Sequence, residues 1–301
     1  MTEIATTRAR PHRTRQLALR PGLTPEQAMR RVTAACLKQF AAGSAAAIKT
    51  DDAECVHRTR VALRRLRSAL RFFDGTSADS VRRDLDRALR RLTRTLGAQR
   101  DWEVFATALM PKLCLPPGSV AQVYSRIDSS RRKTRARLAS PETAVLIASL
   151  GAWLAAADGG SANGSLTGYF SGRLEQLHRR ALADTESFDA QSENQRHHVR
   201  IRVKRLRYAV DDTGALYAQA STARYTAALK ALQKILGDLT DINMARIILG
   251  KLELEKAERK AARAVLRMRK ASHLKRVRAA FERVAAAGGF WQQNRKGVGH
   301  V

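Results

Sequence analysis

Two stretches of the sequence carry basic side chains at the spacing of a single helix face. In the first, Arg60, Arg64 and Arg67 follow His57 at intervals of three or four residues. At about 100° per residue, side chains at these intervals share an arc of roughly 80°. Arginine suits phosphate because its guanidinium is planar, permanently charged and able to donate two parallel hydrogen bonds. The two rows predict a site for a linear chain of phosphates, formed by His57, Arg60, Arg64, Arg67 and Arg71 and by His197, Arg200, Lys204 and Arg207.

A solvated charged surface is the ordinary alternative for such rows, and two features of the sequence oppose it. Like charges three or four residues apart repel by a few tenths of a kcal/mol per pair, and no acidic residue interrupts either row. The first row also adjoins an apolar arc that includes Leu63, Leu66 and Leu70, so it should lie at the edge of a cleft or a helix junction. We therefore favour an anion-binding site.

The histidine that begins each row is predicted to hydrogen-bond the anion rather than to bind a metal. Neighbouring cations disfavour the imidazolium form, so His57 and His197 should be neutral until an anion binds. No acid or cysteine stands three or four residues after His57, and His197 and His198 are predicted to point to different faces of a helix. Neither histidine therefore has the spacing of a metal ligand. A histidine packed at a helix junction is the structural alternative.

The elements that must position these rows are helices. Thr24, Pro25 and Glu26 predict a helix start, with threonine as the N-cap and proline in the first helical position. None of the seven prolines lies beyond residue 141, and no segment shows the alternation and β-branched enrichment of a strand. The predicted fold is all-α, with helices over 25–43, 52–74, 79–110, 119–138, 142–157, 166–186, 194–217, 221–237, 240–258 and 259–287.

The two basic rows belong to an internal repeat. The segment 57–70 matches 197–210, and the segment 88–101 matches 228–241. Both matches are offset by 140 residues, so the turn between the two segments also keeps its length. The chain is therefore predicted to be a duplication whose halves contribute the same face to a shared structure.

The composition indicates a polyanionic partner. The 301 residues include 56 Lys and Arg against 27 Asp and Glu, a formal net charge of +29. Such a charge favours binding to phosphate-rich polymers or anionic membranes. Aromatic residues make up only 5% of the chain, too few to favour stacking on single-stranded bases. The composition leaves three candidate partners: double-stranded nucleic acid, anionic lipid and inorganic polyphosphate.

The sequence also bears on the compartment. No stretch approaches the length of uncharged apolar sequence that a transmembrane helix needs, so no membrane span is predicted. The three cysteines are scattered and give neither a disulfide framework nor a zinc-type spacing. These features predict a protein of the reducing cytoplasm.

The two rows, together with a short motif downstream of each, resemble the CHAD family, the conserved histidine α-helical domains. The pattern His-x-x-Arg-x-x-x-Arg-Arg-Leu-Arg begins at His57 and recurs at His197 with one lysine in place of an arginine. The downstream motif is Leu-Gly-x-x-x-Asp, which ends at Asp101 in the first copy and at Asp241 in the second. The resemblance covers roughly residues 20–291.

The resemblance implies two four-helix bundles related by a pseudo-twofold axis, with the basic helices lining a central channel. It also implies that the channel binds inorganic polyphosphate without turnover, through the residues of the two rows. The closing Phe290 and Trp291 fit the same family. The sequence departs from symmetry where Asp211 stands at the position that matches Arg71, which predicts an uneven channel.

The domain organisation follows from these features. We predict a basic flexible arm at 1–20, a first helical bundle at 21–157, a linker at 158–165, a second bundle at 166–291 and a tail at 292–301. Four residues on the helices downstream of the two rows are possible additional basic contacts: Arg90, Arg94, Lys230 and Lys234.

The predicted function is non-catalytic binding of polyphosphate by a granule-associated or scaffold protein of the cytoplasm, with no metal and no cofactor. Asp101 and Asp241 are interpreted as structural partners of arginines, because each is a single acid near a helix-adjacent glycine rather than part of a catalytic pair. No Gly-x-x-x-x-Gly-Lys nucleotide loop and no Arg-His-Gly phosphatase motif is present.

Two alternative functions stay open. One is a basic nucleic-acid-binding protein of the nucleoid type, since phosphodiester backbones satisfy the same cations. Its outer-surface contacts would be the basic arm and the rows at 131–137 and 259–283, and a weaker contact of this kind is compatible with polyphosphate binding. The other is a polyphosphate phosphohydrolase.

Overall fold

The computed structural model describes residues 19–20, 22–50, 52–73, 80–156 and 165–295. These residues fold into helices without a strand, which confirms the predicted all-α class. Residues 1–18 of the predicted basic arm, 157–164 around the predicted linker and 296–301 of the predicted tail lie outside the described residues. The α-helices are α1 (Pro25–Lys49), α2 (Ala53–Phe72), α3 (Ser80–Val104), α4 (Pro117–Leu138), α5 (Pro141–Ala156), α6 (Leu166–Leu182), α7 (Glu193–Thr213), α8 (Gln219–Leu249) and α9 (Lys256–Ala286).

Both helices that carry the basic rows begin at a capping side chain. Asp52 precedes α2, and its Oδ1 accepts a hydrogen bond of 2.8 Å from the backbone N–H of Glu54. Ser192 precedes α7 and forms a reciprocal capping box with Gln195. Thr24 is the N-cap of α1, as the sequence predicts, and it also forms a capping box with Gln27. These caps satisfy N–H groups that have no partner within the helix.

The largest departure from the sequence prediction lies in α8. The sequence predicts separate helices over 221–237 and 240–258, but α8 is one unbroken helix and the prediction is wrong. Gly237 with the polar residue after it is typical of a helix end. Leu236 and Leu239, however, are both buried in the main core, and this packing carries the helix through. The chain turns instead between α8 and α9.

One hydrophobic core joins the two halves of the chain. Leu66 of α2 and Leu206 of α7 are fully buried in the same cluster. Helix α2 contacts α7, and α3 contacts α8. These are the helices that the 140-residue offset relates, since α2 begins at Ala53 and α7 at Glu193. The packing therefore brings the two basic rows to one helix junction.

The last helices are held by a second core and by the C-terminal segment. A smaller hydrophobic cluster packs the start of α9 against the end of α8, α4 and the turn after α3. Beyond α9, Trp291 is 1% exposed and its Nε1 donates a hydrogen bond of 2.9 Å to Oε2 of Glu175 on α6. The hydroxyl of Ser171 donates to the carbonyl oxygen of Trp291 at 3.1 Å. The segment after α9 is thereby fixed to the start of the second half.

Neither a single membrane-crossing helix nor a metal-binding group of side chains is found within the described ranges. No one helix there combines the length and the apolar character that crossing a membrane requires, although α4 and α5 taken together, across a 49° bend, meet that test by length and composition. No three His, Cys, Asp or Glu side chains within these ranges converge in a way that could hold a metal ion.

Candidate anion-binding site

Four of the predicted site residues face one another where α2 meets α7. Arg60 and Arg64 belong to α2, and Arg200 and Lys204 belong to α7. Burial and the nearby charges of Arg64 and Arg200 lower the pKa of Arg60 to about 10. Burial and the charges of Arg200 and Arg64 lower the pKa of Lys204 to about 6. We term these four side chains the central cluster.

The side chains of the central cluster form no direct ion pair with a described carboxylate. The Nε atoms of Arg60, Arg64 and Arg200 are buried and have no hydrogen-bond partner among the described residues. Burying an unpaired charged group is costly, because nothing replaces the hydration that it loses. The free site is therefore electrostatically suited to an anion.

Two carboxylates lie beside the central cluster. Burial raises the pKa of Asp101, on α3, against the opposing charge of Arg60. Burial likewise raises the pKa of Asp241, on α8, against the opposing charge of Arg200. The two acids are close enough that the charge of Asp241 adds to the rise at Asp101. Both face arginines without forming an ion pair, and two acids do not balance the cations around them, which also include Arg100.

The two predicted histidines begin the rows beside the central cluster. Burial lowers the pKa of both, and the nearest cations lower it further, Arg100 beside His57 and Arg200 beside His197. This direction agrees with the neutral imidazoles that the sequence leads us to expect. The Nδ1 atom of His57 is buried and has no partner among the described residues, whereas His197 is exposed. The two histidines are therefore not equivalent.

Comparison with known proteins identifies the family of this chain. The family model for the CHAD domain matches residues 31–250, which is most of the sequence and includes the whole central cluster. The chain belongs to the CHAD family. The crystal structure of the CHAD domain from the plant Ricinus communis is similar, with a TM-score of 0.72 and 27% sequence identity, over 92% of this chain and 96% of that chain. Curated protein sequences give no significant match.

The basic rows of this CHAD protein are not uniform along their length. Arg67 and Arg71 both bind Asp86 of α3: Nε of Arg67 donates to Oδ1 at 3.0 Å, and Nη2 of Arg71 donates to Oδ2 at 2.7 Å. Arg207 pairs with Asp211 at 3.4 Å. These three predicted residues therefore form direct ion pairs, unlike those of the central cluster.

Sequence reasoning missed two basic residues at the CHAD helix junction. Arg65 is buried and forms an ion pair with Asp212, which links α2 to α7. Arg205 faces Arg71 and Arg67, whose charges add to the effect of burial and lower its pKa. Both arginines directly follow a row residue, about 100° further round the helix. The sequence did contain a signal for them, because an arginine stands at this position in both copies of the motif.

The additional basic candidates lie on exposed parts of α3 and α8. These are Arg90, Arg94, Lys230 and Lys234. Arg90 is close enough to Arg67 to contribute to its lowered pKa, for which burial is the main cause. The Nζ atom of Lys234 lies 3.0 Å from Oδ2 of Asp238. The structure places all four candidates outside the central cluster.

Proposed function

We propose that this CHAD protein binds inorganic polyphosphate at the central cluster. One observation carries the proposal: Arg60, Arg64 and Arg200 form no ion pair with described residues, and their buried Nε atoms have no hydrogen-bond partner there. A polyphosphate chain has negatively charged oxygens on every unit, so one molecule can satisfy donors from α2 and from α7 at once. The arrangement of the two rows as a channel, and their origin by duplication, belong to the same proposal.

The proposed binding occurs without turnover. The central cluster consists mainly of guanidinium groups, which stay protonated and therefore cannot act as general bases. Asp101 and Asp241 face these cations without an ion pair and are interpreted as acids that partly balance their charge rather than as a catalytic pair. The protein would then act as a scaffold or a granule-associated factor in the cytoplasm. Phosphate release on incubation with polyphosphate and Mg²⁺ would contradict the non-catalytic part and favour a phosphohydrolase.

Charge reversal tests the site. Arg60→Glu and Arg200→Glu should each weaken binding of long-chain polyphosphate by at least about tenfold, because charge-assisted hydrogen bonds contribute about 1.5–3 kcal/mol. Arg267→Glu is the matched control, since Arg267 is exposed on α9 and the same change in charge is made there. Fluorescence anisotropy with labelled polyphosphate measures each affinity. Equal losses for all three variants would indicate diffuse surface attraction and refute the site.

A further inference from the structure

A second group of cations lies where α9 packs against α8. Arg269, His273 and Arg276 are spaced four and three residues apart, which places them on one face of α9. Lys234 of α8 approaches the same face, and its charge is felt at His273. The Oδ2 atom of Asp238 lies 3.0 Å from Nζ of Lys234 and 3.8 Å from Nδ1 of His273. We term Arg269, His273, Arg276 and Lys234 the α9 cluster.

The α9 cluster has polar atoms without partners, as the central cluster has. The Nε atom of Arg269 and the Nδ1 atom of His273 are buried and form no hydrogen bond with described residues. Burial lowers the pKa of His273, Asp238 opposes that effect, and Arg269 and Arg276 add to it. The imidazole is therefore neutral near pH 7 and keeps one N–H to donate. One carboxylate faces three cations, so the α9 cluster has a net positive charge.

The α9 cluster continues the central cluster along α8. Lys234, Asp238 and Asp241 are spaced four and three residues apart on one face of α8, over about 10 Å of the helix axis. After burial and Arg200, the charge of Asp238 is the next largest influence on the pKa of Asp241, and it raises that pKa. Asp241 itself faces Arg200 and Lys204 of the central cluster. The α9 cluster therefore lies within about two helical turns of the central cluster, a distance that an extended polyanion can span.

We propose that the α9 cluster is a second phosphate-binding subsite, filled by the distal units of a long polyphosphate chain that also occupies the central cluster. The proposal rests on the proposed function and adds to it a preference for long chains. All of α9 lies beyond residues 31–250, which match the family model. The row at 259–283, which the sequence predicts to make outer-surface contacts if the protein binds nucleic acid, would then contribute part of the polyphosphate site.

The length of the ligand provides the test. The full chain is titrated by calorimetry with tripolyphosphate, which has three units and should fill only the central cluster, and with long-chain polyphosphate. The variant Arg269→Gln with His273→Gln should bind tripolyphosphate with an affinity within about twofold of the wild type. It should bind long chains at least about tenfold more weakly, because only long chains reach the α9 cluster and form charge-assisted hydrogen bonds there. The matched control Arg267→Gln removes an exposed charge from another face of α9 and should change neither affinity.

A further variant protects the test against a folding defect. Arg276 is exposed, so Arg276→Gln should fold normally and weaken only long-chain binding, by about threefold. Equal weakening for tripolyphosphate and long chains, or long-chain affinity equal to that of the control, would overturn the proposal. A third titrant, inorganic phosphate, distinguishes a polyphosphate subsite from a site for a free anion. If the variants lost only the binding of inorganic phosphate, the α9 cluster would be a site for a free anion and the proposal would be wrong. If Arg60→Gln also leaves long-chain affinity unchanged, the proposed function itself fails.

Discussion

The four cations of the central cluster differ in how firmly they hold their charge. Arg60 stays protonated at neutral pH, because burial and its neighbours lower its pKa only to about 10. Lys204, with its pKa lowered to about 6, is largely neutral there in the free protein. A phosphate beside Lys204 would favour the ammonium form and raise that pKa. The second half of the chain thus has a titrating group at the position where the first half has Arg64.

We therefore predict that polyphosphate binding takes up protons just above neutral pH. Affinity should be highest below pH 6, where Lys204 is charged before the ligand arrives, and should fall as the pH rises towards the pKa of the bound state. Calorimetry in two buffers of different ionisation enthalpy counts the protons. Lys204→Arg is the matched control, because arginine stays charged and should bind with less proton uptake. Equal uptake by the two proteins would assign the protons to His57 and His197 and contradict the prediction.

Helical spacing alone could not show which members of the rows have counterions. Arg67 and Arg71 lie on the same arc as the central cluster, but Asp86 reaches them from α3, a contact that no pattern within α2 displays. The pair of Arg207 with Asp211 is different, because a spacing of four residues in one helix predicts it. Contacts within a helix were therefore predictable at this scale, and contacts between helices were not.

At the scale of helices, starts were easier to predict than ends. The cap at Thr24 is a local signal and is found as predicted. The continuation of α8 through Gly237 depends instead on where Leu236 and Leu239 are buried. Such burial is a property of the assembled core, so composition near a glycine does not reveal it. The contact of α2 with α7, by contrast, agrees with the repeat, which predicts that the two halves contribute the same face to a shared structure.

Substitution of Gly237 tests the continuity of α8. A methyl group at this position would meet no atom within 4 Å, so Gly237→Ala should stabilise the protein by about 0.5–1 kcal/mol through the lower backbone entropy of the unfolded chain. Gly43→Ala is the opposing control, because its methyl group would lie 2.8 Å from Oγ1 and 3.3 Å from Cα of Thr59, and it should destabilise. Urea unfolding measures both variants. A loss of stability for Gly237→Ala would show that α8 requires the glycine.

Across the whole molecule, a buried ion pair joins the two halves in addition to their shared core. Arg65 and Asp212 are 8% and 6% exposed, and they connect α2 to α7. The repeat predicts each contact between the halves twice, but this one occurs once. Phe72 occupies the position that matches Asp212, and Arg205, which matches Arg65, faces other arginines. The asymmetry follows from two residue identities and could not be derived from the repeat pattern.

Removing one partner of this pair should destabilise the whole chain. Asp212→Asn leaves the guanidinium of Arg65 buried without a carboxylate, which should cost about 3–5 kcal/mol of unfolding free energy. Replacing both residues, with Arg65→Met and Asp212→Leu, should recover most of that loss. Asp211→Asn is the matched control, because its pair with Arg207 is partly exposed and should contribute about 1 kcal/mol or less. If denaturant unfolding gave equal losses for Asp212→Asn and Asp211→Asn, the pair would not link the halves energetically.

The dimensions of the molecule distinguish a thin polyanion from a duplex. Packed helices lie about 8–10 Å apart, and the major groove of a DNA duplex alone is about 12 Å wide. A single polyphosphate chain is thin enough that we expect it at the central cluster, whereas we expect duplex DNA to touch only surface cations such as the exposed Arg132 and Lys133. The affinities for polyphosphate and for duplex DNA should therefore depend on different residues.

Salt dependence measures this difference. Log affinity falls with log salt by about 0.7 per neutralised phosphate of a flexible single chain, so Arg60→Gln with Arg200→Gln should make the polyphosphate slope shallower by roughly 1.4. The slope and the affinity for duplex DNA should stay unchanged in the same variant, because neither residue lies in an exposed row. Anisotropy titrations of both ligands over a range of salt concentrations provide all four slopes. If the variant lowered both affinities by the same factor and both slopes equally, the ligands would share one site, and nucleic-acid binding would replace polyphosphate binding as the function that the central cluster supports.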